Sequence, residues 1–185
     1  MSREFLIASP LTVWTAPAGT SFPDVGAEPN GDWQKLGESS DYYGEDGVTL
    51  EVNQDVEVFL GQSTMPLEAF RTEEHLHFTV QVHDVRFDVV RLLFNDNEVT
   101  EETGTGSMSL YRGPYTHKVA LLARGRSPYD SKGSAEFHVP RCYVAEDSEI
   151  SFTKGEPAGP EITFAALKPL EAEMDDFVYA AEGIA

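Results

Sequence analysis

The chain has 185 residues, 41% hydrophobic and 24% charged, which suits one domain with a core large enough to fold without disulfides. Thirteen Lys and Arg against thirty-two Asp and Glu give a net charge of −19, which argues against a surface that grips nucleic acid phosphates or an anionic membrane. The single cysteine, Cys142, rules out an internal disulfide, and no run of about 18 apolar residues marks a membrane-spanning helix.

The N-terminal MSREFLIASPLTVW has a short apolar patch broken by Pro10 and does not read as a signal peptide, which predicts a protein made in a cytoplasm. Residues 1–47 read as irregular. APAGTSFPDVGAEPNGDW, residues 16–33, is rich in Pro, Gly and Asp and predicts a long loop or arm, about residues 10–44 in extent. Trp14 is expected to pin its beginning to the core, and Trp33, Leu36 and Tyr43 its end.

Residues 47–60 then alternate. Val48, Leu50, Val52, Gln54, Val56, Val58 and Leu60 take one parity, and Thr49, Glu51, Asn53, Asp55, Glu57 and Phe59 the other. Such alternation is a strand with one apolar and one polar face, and thirteen residues would run on the order of 40 Å. Residues 61–69 form a Gly/Ser/Pro loop. Residues 70–83 alternate again, with Phe70, Leu76, Phe78, Val80 and Val82 on one face and Arg71, Glu73, His75, His77, Thr79, Gln81 and His83 on the other. The pair predicts an extended antiparallel hairpin.

DVRFDVVRLLFN, residues 84–95, switches to a helical period, with Val85, Val89 and Leu92 at i, i+4 and i+7 and Asp84 as the expected N-cap. Residues 95–107 read as a polar loop. Strands are expected at 107–111, 117–123, 135–144, 149–154 and 160–170, with Pro140 marking an edge or a bulge. Residues 171–185 form an acidic tail with apolar residues at Met174, Phe177, Val178 and Tyr179, partly ordered by a partner. The fold class is therefore mainly β: one domain over 1–185, a sandwich or barrel with one packed helix.

Catalytic signatures are missing: there is no phosphate-binding Gly loop, GxSxG, HExxH or CxxC. His75 and His77 share a strand face and with Glu51 or Glu57 could chelate a metal, but polar residues on the wet side of an amphipathic strand explain them more simply. The acidic pairs Glu73–Glu74, Glu101–Glu102 and Asp175–Asp176 read as solvated charge rather than a glycosidase dyad. Arg124, Arg126 and Lys132, with Tyr129, fit a contact with an acidic neighbouring copy better than a nucleic-acid patch. Neither a metal nor another cofactor is expected.

The segment DWQKLGESSDYYGEDGVTLEVNQDVEVFLGQ, residues 32–62, resembles the major tail protein of long-tailed bacteriophages, the siphophage tail tube family. A Trp (Trp33) leads to Leu36-Gly37, an aromatic (Tyr43), Glu45-Asp46-Gly47-Val48-Thr49 and a long alternating strand; the later loop, second strand, helix and closing ITFAAL strand follow a similar layout. The resemblance implies stacked rings, usually hexameric, in which each copy lends its long hairpin to a barrel around a channel. The apolar hairpin face would pack on the copy's own sandwich. The polar face, with Glu51, Asn53, Asp55, Glu57, Glu73, His75 and His77, would line the lumen and let DNA slide through without specific binding. Trp14, Phe22, Trp33, Met65, Arg124 and Arg126 are the expected contacts between copies. The implied partners are further copies, a tape measure protein, a tail terminator and tail tip proteins, without membrane insertion. The implied location is the virion tail, after assembly in the host cytoplasm. A non-enzymatic β-sandwich binding module, or another neck or secretion-tube component, is the alternative, and an enzyme on the His75/His77 face is weaker still.

Overall fold

Alternating sequence dictates strands, and strands make up nearly all the regular structure. The computed structural model describes residues 10–37, 43–62, 64–145, 148–170 and 177–183. In chain order its elements are β1 (Thr12–Pro17), β2 (Gln34–Lys35), β3 (Tyr43–Phe59), β4 (Glu68–Val82), α1 (Phe87–Leu93), β5 (Val99–Glu102), β6 (Thr105–Met108), β7 (Val119–Arg126), β8 (Ser134–Val144), β9 (Glu149–Ser151), β10 (Gly159–Ala166) and β11 (Val178–Ala181). One antiparallel sheet runs β2-β1-β7-β8-β10-β4-β3, with β11 on β8 and β9 on β10, while β5 and β6 form a separate hairpin. The main sheet does not close into a barrel; its covered faces make a sandwich-like, mainly β fold.

The middle of the sheet is buried on both faces. In β7 the run Val119–Ala120–Leu121–Leu122–Ala123 is buried throughout, as expected of a doubly covered strand. On one face Val13, Leu121, Phe78, Val80, Ile162 and Phe164 pack with Val89 and Leu93 of α1. On the other, Trp14, Ala16, Ala120 and Leu122 pack with Trp33 and Phe22. The Pro/Gly-rich loop is thus a cover for the second face, and Trp14, Trp33, Leu36 and Tyr43 are all buried, as the pinning expectation required.

The Tyr43 hydroxyl ties three segments: it donates to the Leu36 carbonyl at 2.8 Å and accepts from the Val13 N–H at 3.1 Å. Burial pushes its pKa up from 10.0 to about 12, against a smaller downward pull from the Val13 N–H. Unfolded chain ionises first, so this contribution is intact below pH 10 and is lost as pH climbs towards about 12. Tyr43→Phe is expected to cost about 1–3 kcal/mol, because it strands a buried N–H and C=O. Urea unfolding from pH 9 to 12 checks both points, since the mutant should lack this alkaline component.

Several expectations are corrected. Among the described residues, 10–44 hold two strands and the start of β3: β1 was hidden because both its faces are covered and its sequence does not alternate. Helix α1 is shorter than 84–95. Arg86, not Asp84, holds the N-cap position, and Asp84 instead accepts the Arg86 N–H at 3.0 Å in the turn before the helix. Residues 99–108 form the β5–β6 hairpin instead of a loop. Pro140 does mark a bulge: Val119 pairs with Cys142 but Leu121 with Val139. Part of the tail is ordered by the chain itself, as Val178–Ala181 pairs with β8. Met174, Asp175 and Asp176 lie outside the described residues.

Candidate functional site: the projecting hairpin

Strand β3 begins in the core at Tyr43 and leaves it through a bulge. Tyr43 pairs with Val82 and Val48 with Val80, so residues 44–47 oppose a single residue of β4. Gly47, at φ 63, takes the left-handed conformation this bend requires. The Glu-Asp-Gly-Val-Thr motif is therefore the turn-out that aims the hairpin away from the body.

Beyond it the two strands pair over their length, but β10 reaches only His77 to Gln81 of β4. Residues 51–60 and 64–75 are consequently exposed on both faces. This projection spans about nine residues of β3, or about 30 Å at roughly 3.4 Å per residue. The expectation that the apolar face packs on the copy's own sandwich holds at the base, where Phe78 and Val80 are buried, and fails beyond it: Val52 is 60% exposed and Val56 47%. Among the described residues no second layer lies under them.

The polar face assembles as its alternation demands. Glu51 pairs with His77, Asn53 with His75 and Asp55 with Glu73, so these six share one face. Asn53 donates to Glu51 at 2.8 Å, Glu73 lies 3.3 Å from His75 Nε2, and the His75 and His77 rings are 6.2 Å apart. Glu57 lies on the same parity of β3, beyond a second bulge. Asp55 opposes Glu73 but Val56 opposes Arg71, leaving Thr72 as the extra residue. This shift corrects the outer part of β4. Arg71 moves to the apolar face, where it pairs with Glu74 at 2.9 Å, and Phe70 joins the polar face opposite Glu57. Residues 51–75 carry six carboxylates and one cation, Arg71. Among the described residues no three His, Cys, Asp or Glu come together in a way that could hold a metal.

Four of the six residues expected at contacts between copies pack inside the protomer. Trp14, Trp33 and Phe22 pack together on the second face of the sheet, and Arg124 pairs with Glu136, which is fully buried. Glu136 accepts from Arg124 Nε at 2.7 Å and from the Gly26 N–H at 2.8 Å, and His138 Nε2 lies 2.9 Å from its other oxygen. Arg124 also donates to the Ala27 carbonyl at 2.6 Å and lies over the Trp14 ring; Phe22 stacks on His138 at 4.4 Å. The latch fastens the loop of residues 18–33 to the sheet. Met65, in the hairpin loop, and Arg126, at the end of β7, are exposed.

A family model described as Phage tail tube protein matches residues 2–181. No curated protein matches. Among solved structures, the chain is similar to a chain of "Cryo-EM structure of the anti-feeding prophage (AFP) baseplate, 6-fold symmetrised", with a TM-score of 0.46, 8% identity and 97% of each chain covered.

Proposed function

The chain belongs to the phage tail tube protein family, and from that premise we propose that its copies form rings, six to a ring, which stack into the tube of a siphophage tail. The family makes it a structural component of the virion tail, which supports a non-enzymatic role. Glu51, Asn53, Asp55, Glu57, Glu73, His75 and His77 line the channel. The wall they form is negative, and DNA, with one charge per roughly 1.7 Å of axis, slides along it without adsorbing. Screening over about 8 Å confines the effect to groups on the wall itself. A tape measure protein, a terminator and tip proteins complete the assembly, which takes place in the host cytoplasm.

The observation that carries this reading is the projection of the hairpin. Both its edges are unpaired among the described residues, β3 along its length and β4 before His77, and both its faces are bare. A strand edge this long invites pairing, and pairing around a ring removes it. The apolar face then meets a neighbouring copy rather than water.

Negative-stain electron microscopy across a concentration and salt series tests the proposal. Hollow tubes of stacked rings are expected, favoured by salt that screens repulsion between subunits of charge −19. A protein that stays monomeric even on tail-tip complexes would refute it.

A further inference from the structure

A basic and aromatic loop leaves the sheet on the side away from the hairpin tip. The register locates it. Val119, where β7 begins, pairs with Cys142, and Cys142 with Ala166, one residue beyond the pair of Ala165 and His77. From that level the hairpin continues through His75 and Phe70 to its tip. β7 runs the same way from Val119 to Arg126, so the chain before Val119 leaves in the opposite direction. That chain is residues 109–118, SLYRGPYTHK, with two full cations and no carboxylate in a molecule of net charge −19.

Two asparagines hold its backbone. Asn95, itself at φ 58, donates to the Arg112 and Tyr115 carbonyls and accepts from the His117 N–H at 3.1 Å. Asn97 donates to the Ser109 carbonyl at 2.7 Å and the Tyr111 carbonyl at 2.9 Å. The side chains so fixed point outward: Tyr111 is 77% and Tyr115 85% exposed. Among the described residues no carboxylate pairs with Arg112 or Lys118. Exposed Tyr and Arg on a preorganised backbone have the composition and low ordering cost of an interface centre.

Resting on the tube reading, we infer that residues 109–118 receive the hairpin tip of a second copy in the next ring. Stacking without a twofold needs two different surfaces at opposite ends of the subunit, and these two are complementary. The tip offers apolar Phe59, Leu67 and Phe70 with the carboxylates of Glu57 and Glu68, all exposed. The loop offers Tyr111 and Tyr115 with Arg112 and Lys118. The contact is head to tail, and it joins like-charged subunits through oppositely charged ends.

The test compares wild type, Arg112→Glu/Lys118→Glu, Tyr115→Ala, and a charge swap that adds Glu57→Lys/Glu68→Lys to the first variant. Thermal unfolding is followed by circular dichroism and tube formation by sedimentation. The critical concentration is expected to rise about tenfold or more in the first two variants, with unfolding unchanged, and to fall back in the swap. Variants that polymerise at wild-type concentrations overturn the inference and leave the tube reading standing. Loss without recovery in the swap overturns the pairing with the tip. Wild type that never polymerises, in high salt or on tail-tip complexes, overturns both.

Discussion

Glu136→Ala is expected to destabilise the subunit by about 3–5 kcal/mol, the range for breaking a buried ion pair by removing one partner. Three losses add in one place. Arg124 keeps its charge in a site where its side chain is only 12% exposed, the Gly26 N–H loses its acceptor, and His138 loses its neighbour. The loop of residues 18–33 should then lift from the second face of the sheet, uncovering Trp14 and carrying Trp33 into water. Chemical denaturation gives the energy, and tryptophan fluorescence follows the loop, because of the chain's two tryptophans Trp14 lies under it and Trp33 is its last residue. A two-state transition within about 1 kcal/mol of wild type would show that the latch is dispensable.

The second large effect is on assembly. Replacing residues 55–73 by a two-residue Asn-Gly turn should abolish rings and tubes and leave the body folded. The removed segment is exposed on both faces, and surface changes of that kind usually move stability by about 0.5 kcal/mol. The shortened β3 and β4 keep the pairs from Tyr43–Val82 to Gln54–Glu74, and the core around Phe78 and Val80 is untouched. Near-wild-type unfolding with no sedimenting assembly is the expected pair of results. A shortened protein that still forms tubes would place the ring contacts elsewhere.

Much of this was legible in the sequence, for definable reasons. Period-two patterning over thirteen residues admits only a strand, so β3 and β4 and their shared polar face could be read directly. Where patterning is silent the reading failed. Strand β1 is covered on both sides and shows no alternation. The bulge at Thr72 shifts the register by one residue, and composition alone does not mark which strand carries the extra residue, so Arg71 and Phe70 were placed on the wrong faces. The projection of the hairpin depends on where β10 stops, which is a property of another strand. Glu136 and His138 read as ordinary polar positions in SAEFHV. Their partner Arg124 is twelve residues away from Glu136, and only the pairing of β7 with β8 brings them together. A charge of opposite sign in or beside the buried stretch of each of two neighbouring strands was the available clue.

The most direct test of the central claim is a cryo-electron microscopy reconstruction of tubes assembled from this chain, at a resolution that places side chains in β3 and β4. The account predicts a continuous barrel of hairpins, with Glu51, Asp55, Glu57 and Glu73 on the channel wall and Val52, Val56 and Val58 packed against protein. Hairpins on the outside of the tube, or the valine face turned to the channel, would contradict it.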